Sequence, residues 1–254
     1  MSGADEVPRM RLSIVIPCWN DAAALRQILA TLRGLRGLAE VIVADASHTP
    51  DCGEIAAIFG ARLVRCEQPN RGAQMNAGAA VAGGDVLLFH HADSQLTQRH
   101  VDSLLAAMEN PDVIGGAFFR EFDARHPRLR WLEFFARWFN QLGGTLYGDQ
   151  SLFVRREHFE KTLRGFAEIP LMEDIEFSRR LRRSGRTIVL DPPLQTSARR
   201  HEKNGSWKTT VQNGWLIFLY RIGVSPWRLH RIYYGQKRAA APRPVATAAH
   251  LIPE

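Results

Sequence analysis

Gly84-Asp85-Val86-Leu87-Leu88-Phe89-His90-His91-Ala92-Asp93 is the stretch that decides the fold. Val86 to His90 opens with four apolar residues, with a Gly-Asp pair before it and a polar segment after it. A short apolar run with turn residues at both ends reads as a strand covered on both faces. Leu12 to Pro17, Glu40 to Ala44 and Ala61 to Cys66 are runs of the same kind. Between the first two, Asp21 to Leu35 carries Ala24, Leu25, Ile28, Leu29 and Leu32 at helical spacing, with Asn20 or Asp21 as N-cap. Asp51 to Phe59, Gln74 to Ala82 and Gln98 to Glu109 read as further helices. Strand–helix alternation predicts an α/β fold with a mostly parallel, Rossmann-like central sheet and helices on both faces. Ligands of such sheets gather at the carboxyl ends of the strands. Asn20/Asp21, Asp45/Ser47, Arg71/Gly72 and His91/Asp93 all follow strand ends, so they are expected to converge.

The second half is less regular. Ile114 to Arg120, Ser151 to Val154 and Thr187 to Leu190 read as strands, the last closing on Pro192-Pro193. His126 to Gln141 and Glu173 to Arg183 read as helices. Residues 206–238 hold two basic, aromatic helices broken near Pro226, and the Ala/Pro-rich 239–254 reads as a disordered tail. The expected catalytic domain is residues 10–205.

At 254 residues, with 45% hydrophobic and 23% charged, the chain can bury a core without metal or disulfide staples. Collagen-like, coiled-coil and wholly disordered readings are excluded. The net charge of +7 is uneven: from Arg199 onward there are 10 Lys/Arg against 2 Asp/Glu, while residues 1–198 are close to neutral. Such a basic segment suits phosphate-rich ligands, an anionic membrane or nucleic acid, or is a solvated face. No helix-turn-helix, zinc or RNP-type pattern supports nucleic acid. Three cysteines, Cys18, Cys52 and Cys66, without a C-x-x-C pair, suit a reducing compartment. The longest uncharged run, Gly72 to Gly84, has 13 residues, short of the roughly 20 a spanning helix needs. A cytoplasmic protein is expected, with peripheral contact on the inner face of the membrane left open.

His91-Ala92-Asp93 is the strongest chemical signal. Two ligands one residue apart in an extended segment point the same way, and Gln95 continues the alternation. Such donors hold Mg²⁺ or Mn²⁺. The rival reading is that Asp93 caps the next helix.

Taken in order, Ile14-Val15-Ile16-Pro17…Asn20-Asp21, Val41-Ile42-Val43-Ala44-Asp45-Ala46-Ser47, Asn70-Arg71-Gly72…Asn76-Ala77-Gly78 and the Gly84–Asp93 stretch resemble a family 2 glycosyltransferase of GT-A fold. Glu173-Asp174 resembles that family's acidic pair. The nearest resemblance is to short members with the H-A-D form. The resemblance implies inverting transfer from a nucleotide-diphosphate sugar, UDP-linked, to a small-molecule or lipid-linked hydroxyl. It implies that Pro17 and Asp21 line the nucleoside pocket, that Asp45 holds the base, and that Arg71 sits by base or diphosphate. Asp93, with His91 and Gln95, would hold the metal, and Asp174 would be the base. Arg199 and Arg200 would close over the diphosphate. Asp149 is either a ligand for sugar hydroxyls or part of a plain turn.

His91 stands where the family's D-x-D motif has its first carboxylate. Imidazole shifts the metal preference towards Mn²⁺ or softer ions. Ala44 stands where many members have a further Asp. A catalytically silent relative and a sugar nucleotidyltransferase are the alternatives. Against the latter, Pro17-Cys18-Trp19-Asn20-Asp21 has neither glycine nor base. The expected position of Asp174, early in a helix, favours its ionised form.

Overall fold

The computed structural model describes residues 10–92, 94–122, 144–196 and 206–235, without the side chains of 122, 196 and 206–211. Seven strands form one sheet: β1 (Leu12–Cys18), β2 (Leu38–Asp45), β3 (Arg62–Arg65), β4 (Val86–Phe89), β5 (Val113–Phe122), β6 (Leu152–Arg155) and β7 (Arg186–Thr196). Their spatial order is β3-β2-β1-β4-β6-β5-β7. β1 pairs in parallel with β2 and β4, while β6 runs antiparallel between β4 and β5.

The central strands are mostly apolar, β4 throughout, because both faces are covered. Leu12, Ile14 and Ile16 on one face of β1 join α1 (Ala22–Leu32) and α2 (Asp51–Ile58) in one core layer. Val15 on the other face joins Met75 and Ala79 of α3 (Arg71–Ala80). α3 lies so close to β1 that a Cβ on Gly78 would stand 2.4 Å from Val15 Cγ1. α4 (Gln98–Met108) sets Val101, Leu104 and Met108 into the first layer. α5 (Glu173–Ser184) sets Phe177 and Leu181 into the second. There Phe89, Phe159, Phe166 and Phe177 form an aromatic cluster, with Phe166 and Phe177 stacked at 4.0 Å.

Of the element boundaries that differ from the sequence reading, two have a clear physical reason. α3 starts at Arg71, three residues early, because the Asn70 side chain accepts from Ala73 N and caps the helix there. β7 continues through Pro192 and Pro193 to Thr196. It is an edge strand, and its register with β5 slips between Phe118/Arg120, opposite the prolines, so their missing N–H groups break no ladder.

α6 (Ser206–Arg221) and α7 (Pro226–Tyr234) follow, with Pro226 at the start of α7 and Ser225 as its cap. Leu216 and Leu229 are buried beside Met172 and Ile175. Among the described residues no helix is long and apolar enough to cross a membrane. The helix expected over 126–141 and the tail 239–254 lie outside the described residues.

Candidate active site

The ladder between β1 and β4 ends at Val15–Phe89, and beyond it the two chains diverge into the loops that carry Asn20 and His91. This is the topological switch point of the sheet. Arg71, His91, Gly148, Glu173 and Asp174 line a recess there, together with apolar Met75, Phe89, Leu152 and Phe166. Its volume is about 10 Å³, room for one water rather than a sugar.

Asp174 lies in the first turn of α5. Met172 before it has φ 72°, a left-handed conformation that is costly for a long side chain. Asp174 Oδ1 accepts from Ile175 N at 2.8 Å, and Oδ2 accepts from Gly148 N at 2.8 Å. Burial, followed by the neighbouring Glu173 charge, pushes its carboxyl up to about 6. Gly148 N–H, Arg71 and Ile175 N–H pull the other way and are outweighed. Desolvation thus raises the proton affinity of a group that the helix start was expected to favour in its ionised form. The result is a stronger base than an ordinary carboxylate, still mostly ionised at pH 7.

Glu173 is buried, and Arg71 Nη1 lies 3.4 Å from its Oε1. Arg71 reaches it from the first turn of α3, with about half its side chain exposed. The Gly148–Gln150 turn supplies the opposite wall. A Cβ on Gly148 would lie 3.1 Å from His91 Nε2 and 3.3 Å from Asp174 Oδ2, so a side chain there would crowd both groups. Next to it, Asp149 pairs with Arg120, while its Oδ1 is buried with no hydrogen-bond partner among the described residues.

The nucleoside-side residues are placed as follows. Pro17 lies in β1 beyond the end of the β4 ladder, paired only with Ala44. Asp21 caps α1, its Oδ1 accepting from Ala24 N, and it is exposed. Asp45 is fully buried. Its Oδ1 accepts from Ser47 N and its Oδ2 from Arg65, whose side chain is half exposed. Gln74, which the sequence reading passed over, donates from Nε2 to both Cys18 O and Ala44 O and ties the ends of β1 and β2 together. Its signal is a polar side chain among the Ala and Gly of α3, one it shares with Asn76.

The metal set comes together only in part. His91 lines the recess, but Ser94 N donates to His91 O, turning the chain where an extended segment was expected. Gln95 N is then held by Gln195 O of β7, and the Gln95 side chain is exposed and absent from the recess wall. Asp93, Arg199 and Arg200 lie outside the described residues. A separate buried group, Cys18, Asp45 and Cys52, has ligand atoms within 4.8 Å of one another. There Cys18 and Cys52 share a 3.3 Å thiol contact, and burial pushes the Cys18 thiol strongly up, so it suits a protonated thiol better than a hard-cation ligand.

Solved structures share this architecture. A mannosyltransferase from Pyrobaculum calidifontis, solved with GDP-Man and Mn²⁺, is 18% identical with TM-score 0.63, over 90% of this chain and 70% of that one. S. aureus TarS residues 1–349, solved with UDP-GlcNAc, is 16% identical with TM-score 0.59, over 74% and 58%. Glucosyl-3-phosphoglycerate synthase from Mycobacterium tuberculosis, solved with Mn²⁺, UDP and glucosyl-3-phosphoglycerate, is 20% identical with TM-score 0.52, over 74% and 70%. These likenesses show that the fold is of GT-A architecture. Residues 13–163 match the family model described as Glycosyl transferase family 2, and the chain belongs to that family. An uncharacterized glycosyltransferase of Mycobacterium tuberculosis is 28% identical over 107 residues, 41% of this chain and 47% of that protein. The chain thus spans about half the length of the curated relatives it matches.

Proposed function

We propose that this chain moves a sugar from a UDP-linked donor onto an acceptor hydroxyl, inverting the anomeric centre. One observation carries the reading: in a family 2 chain, the Asp174 carboxylate stands with Arg71 and His91 at the switch point of the sheet. The acceptor hydroxyl gives its proton to Asp174 as its oxygen bonds to the anomeric carbon. The bond from that carbon to the diphosphate oxygen breaks, and the diphosphate leaves with the electron pair. Attack opposite the leaving group inverts the centre, and no second nucleophilic carboxylate is needed.

Arg71, together with Arg199 and Arg200, offsets the charge growing on the diphosphate. Pro17 and Asp21 line the nucleoside side. Asp45 meets the base, with Arg65 and Ser47 yielding its oxygens. Asp149, with its buried Oδ1, receives a sugar hydroxyl, and Glu173 holds Arg71 in place. The imidazole of His91 beside the carboxylate-lined recess suits a mixed N/O donor set, so His91 and Asp93 would hold Mn²⁺ or Mg²⁺. When bound, that ion supplies positive charge to the leaving diphosphate.

The test is Asp174→Ala and Asp174→Asn, assayed for transfer and, by calorimetry, for UDP binding in Mn²⁺. Transfer is expected to fall by about 10²–10⁴-fold while UDP binding survives. Full transfer by either variant removes Asp174 as the base.

A further inference from the structure

Among the described residues, eight large apolar side chains are exposed, and six of them, Trp215, Phe218, Ile222, Trp227, Ile232 and Tyr234, lie between 215 and 234. Trp215, Phe218 and Ile222 recur at helical spacing, and the first two stack at 5.5 Å. Trp215 and Ile222 are 56% and 61% exposed. Leu216 and Leu229 are meanwhile buried against Met172 and Ile175. α6 is therefore apolar on two sides, one packed and one bare, which a helix lying free in water does not sustain. The same stretch carries Arg221, Arg228 and Arg231, all exposed, and from Ser206 to Gly235 there is no Asp or Glu.

We propose that this face docks on an anionic lipid bilayer. Exposed Trp, Tyr, Phe and Ile beside arginines match the interfacial zone of a membrane, where aromatic rings sit at headgroup level and cations meet lipid phosphates. A second copy of the chain matches poorly, since two such faces would set arginine against arginine with no carboxylate between them. Met172 and Ile175, on which the pair of helices rests, flank Glu173 and Asp174. Docking thus brings the site to the bilayer, and the acceptor it favours is a lipid-linked or membrane-borne hydroxyl. This last step rests on the transferase reading; the docking itself does not.

The experiment is co-sedimentation of the full chain with phosphatidylcholine vesicles, with and without phosphatidylglycerol. Binding is expected only with the anionic lipid, and it weakens as salt shortens the screening length from about 10 to 3 Å. Arg228→Gln with Arg231→Gln should weaken it about five-fold per arginine. Trp215→Ser with Phe218→Ser should abolish it, with unchanged circular dichroism and UDP binding. Ile58→Ser, an exposed apolar site elsewhere, should leave it intact. No binding to anionic vesicles overturns the proposal, as does binding that survives Trp215→Ser with Phe218→Ser. A dimer in light scattering that those changes dissolve, without vesicle binding, assigns the face to a second copy instead. UDP binding is read separately, so failure of docking and failure of the transferase reading are distinguishable.

Discussion

Asp174 shows how one carboxyl is tuned by competing neighbours. Burial and Glu173 raise it to about 6, and the pH dependence follows. The free enzyme's kcat/KM should fall on an acid limb near pH 6, as protonation removes the base; a flat profile down to pH 5 would contradict this. The stability effect has the opposite sign. A carboxyl with a raised folded-state pKa binds its proton more readily folded than unfolded, so its ionisation costs stability above that pKa. The cost lessens as pH falls from about 6 towards 3.8. Asp174→Asn should therefore make stability less dependent on pH between 3.8 and about 6, while transfer is lost. Gly148 is the other pressure point. Gly148→Ala places a methyl against His91 and Asp174, so transfer should drop by ten-fold or more with a stability change under about 1 kcal/mol. Steady-state kinetics and urea melts on one preparation would check both. The sequence pointed to Asp174 through its neighbours in the motif, but not to its proton affinity. That depends first on burial and then on the Glu173 charge, against the weaker pull of Arg71 and of Gly148 N–H, 26 residues away.

The elements were legible wherever one physical cause dominated. β1, β2 and β4 are buried on both sides, and apolar runs report that directly. α1 shows its face because Leu25, Ile28, Leu29 and Leu32 all point inward. Legibility failed where a distant partner decides. The extent of β7 depends on its edge position and the slipped register with β5, which no local pattern records. Ser94 N donates to His91 O and Gln95 N to Gln195 O, contacts that alternation along the chain does not record. The α3–β1 contact yields a prediction of its own. Gly78→Ala drives a methyl into Val15, a stiff β-branched side chain with no exposure, and should cost about 1–3 kcal/mol in urea unfolding. An unchanged midpoint would mean that α3 can lift away from β1.

At the scale of the whole molecule, β1 to β4 carry the residues assigned to the nucleoside and metal, while the segment from Gly148 to Ser184 brings the base and the wall opposite. The ion assigned to His91 and Asp93 should couple the two parts. UDP at 100 times its Kd should stabilise the protein by about 2.7 kcal/mol. Chelating Mn²⁺, or changing Asp93→Ala, should erase most of that rise in thermal melts. An equal UDP shift with and without Mn²⁺ would remove the ion from donor binding.

The wedge of β6 between β4 and β5 has a further consequence. A ribosome delivers β5 before β6, yet the finished sheet has no place for β5 beside β4. During synthesis the outer edge of β4 therefore stays bare until Arg155 has emerged, and the newborn chain carries its helix-covered strands beside a strand that still waits for its neighbour.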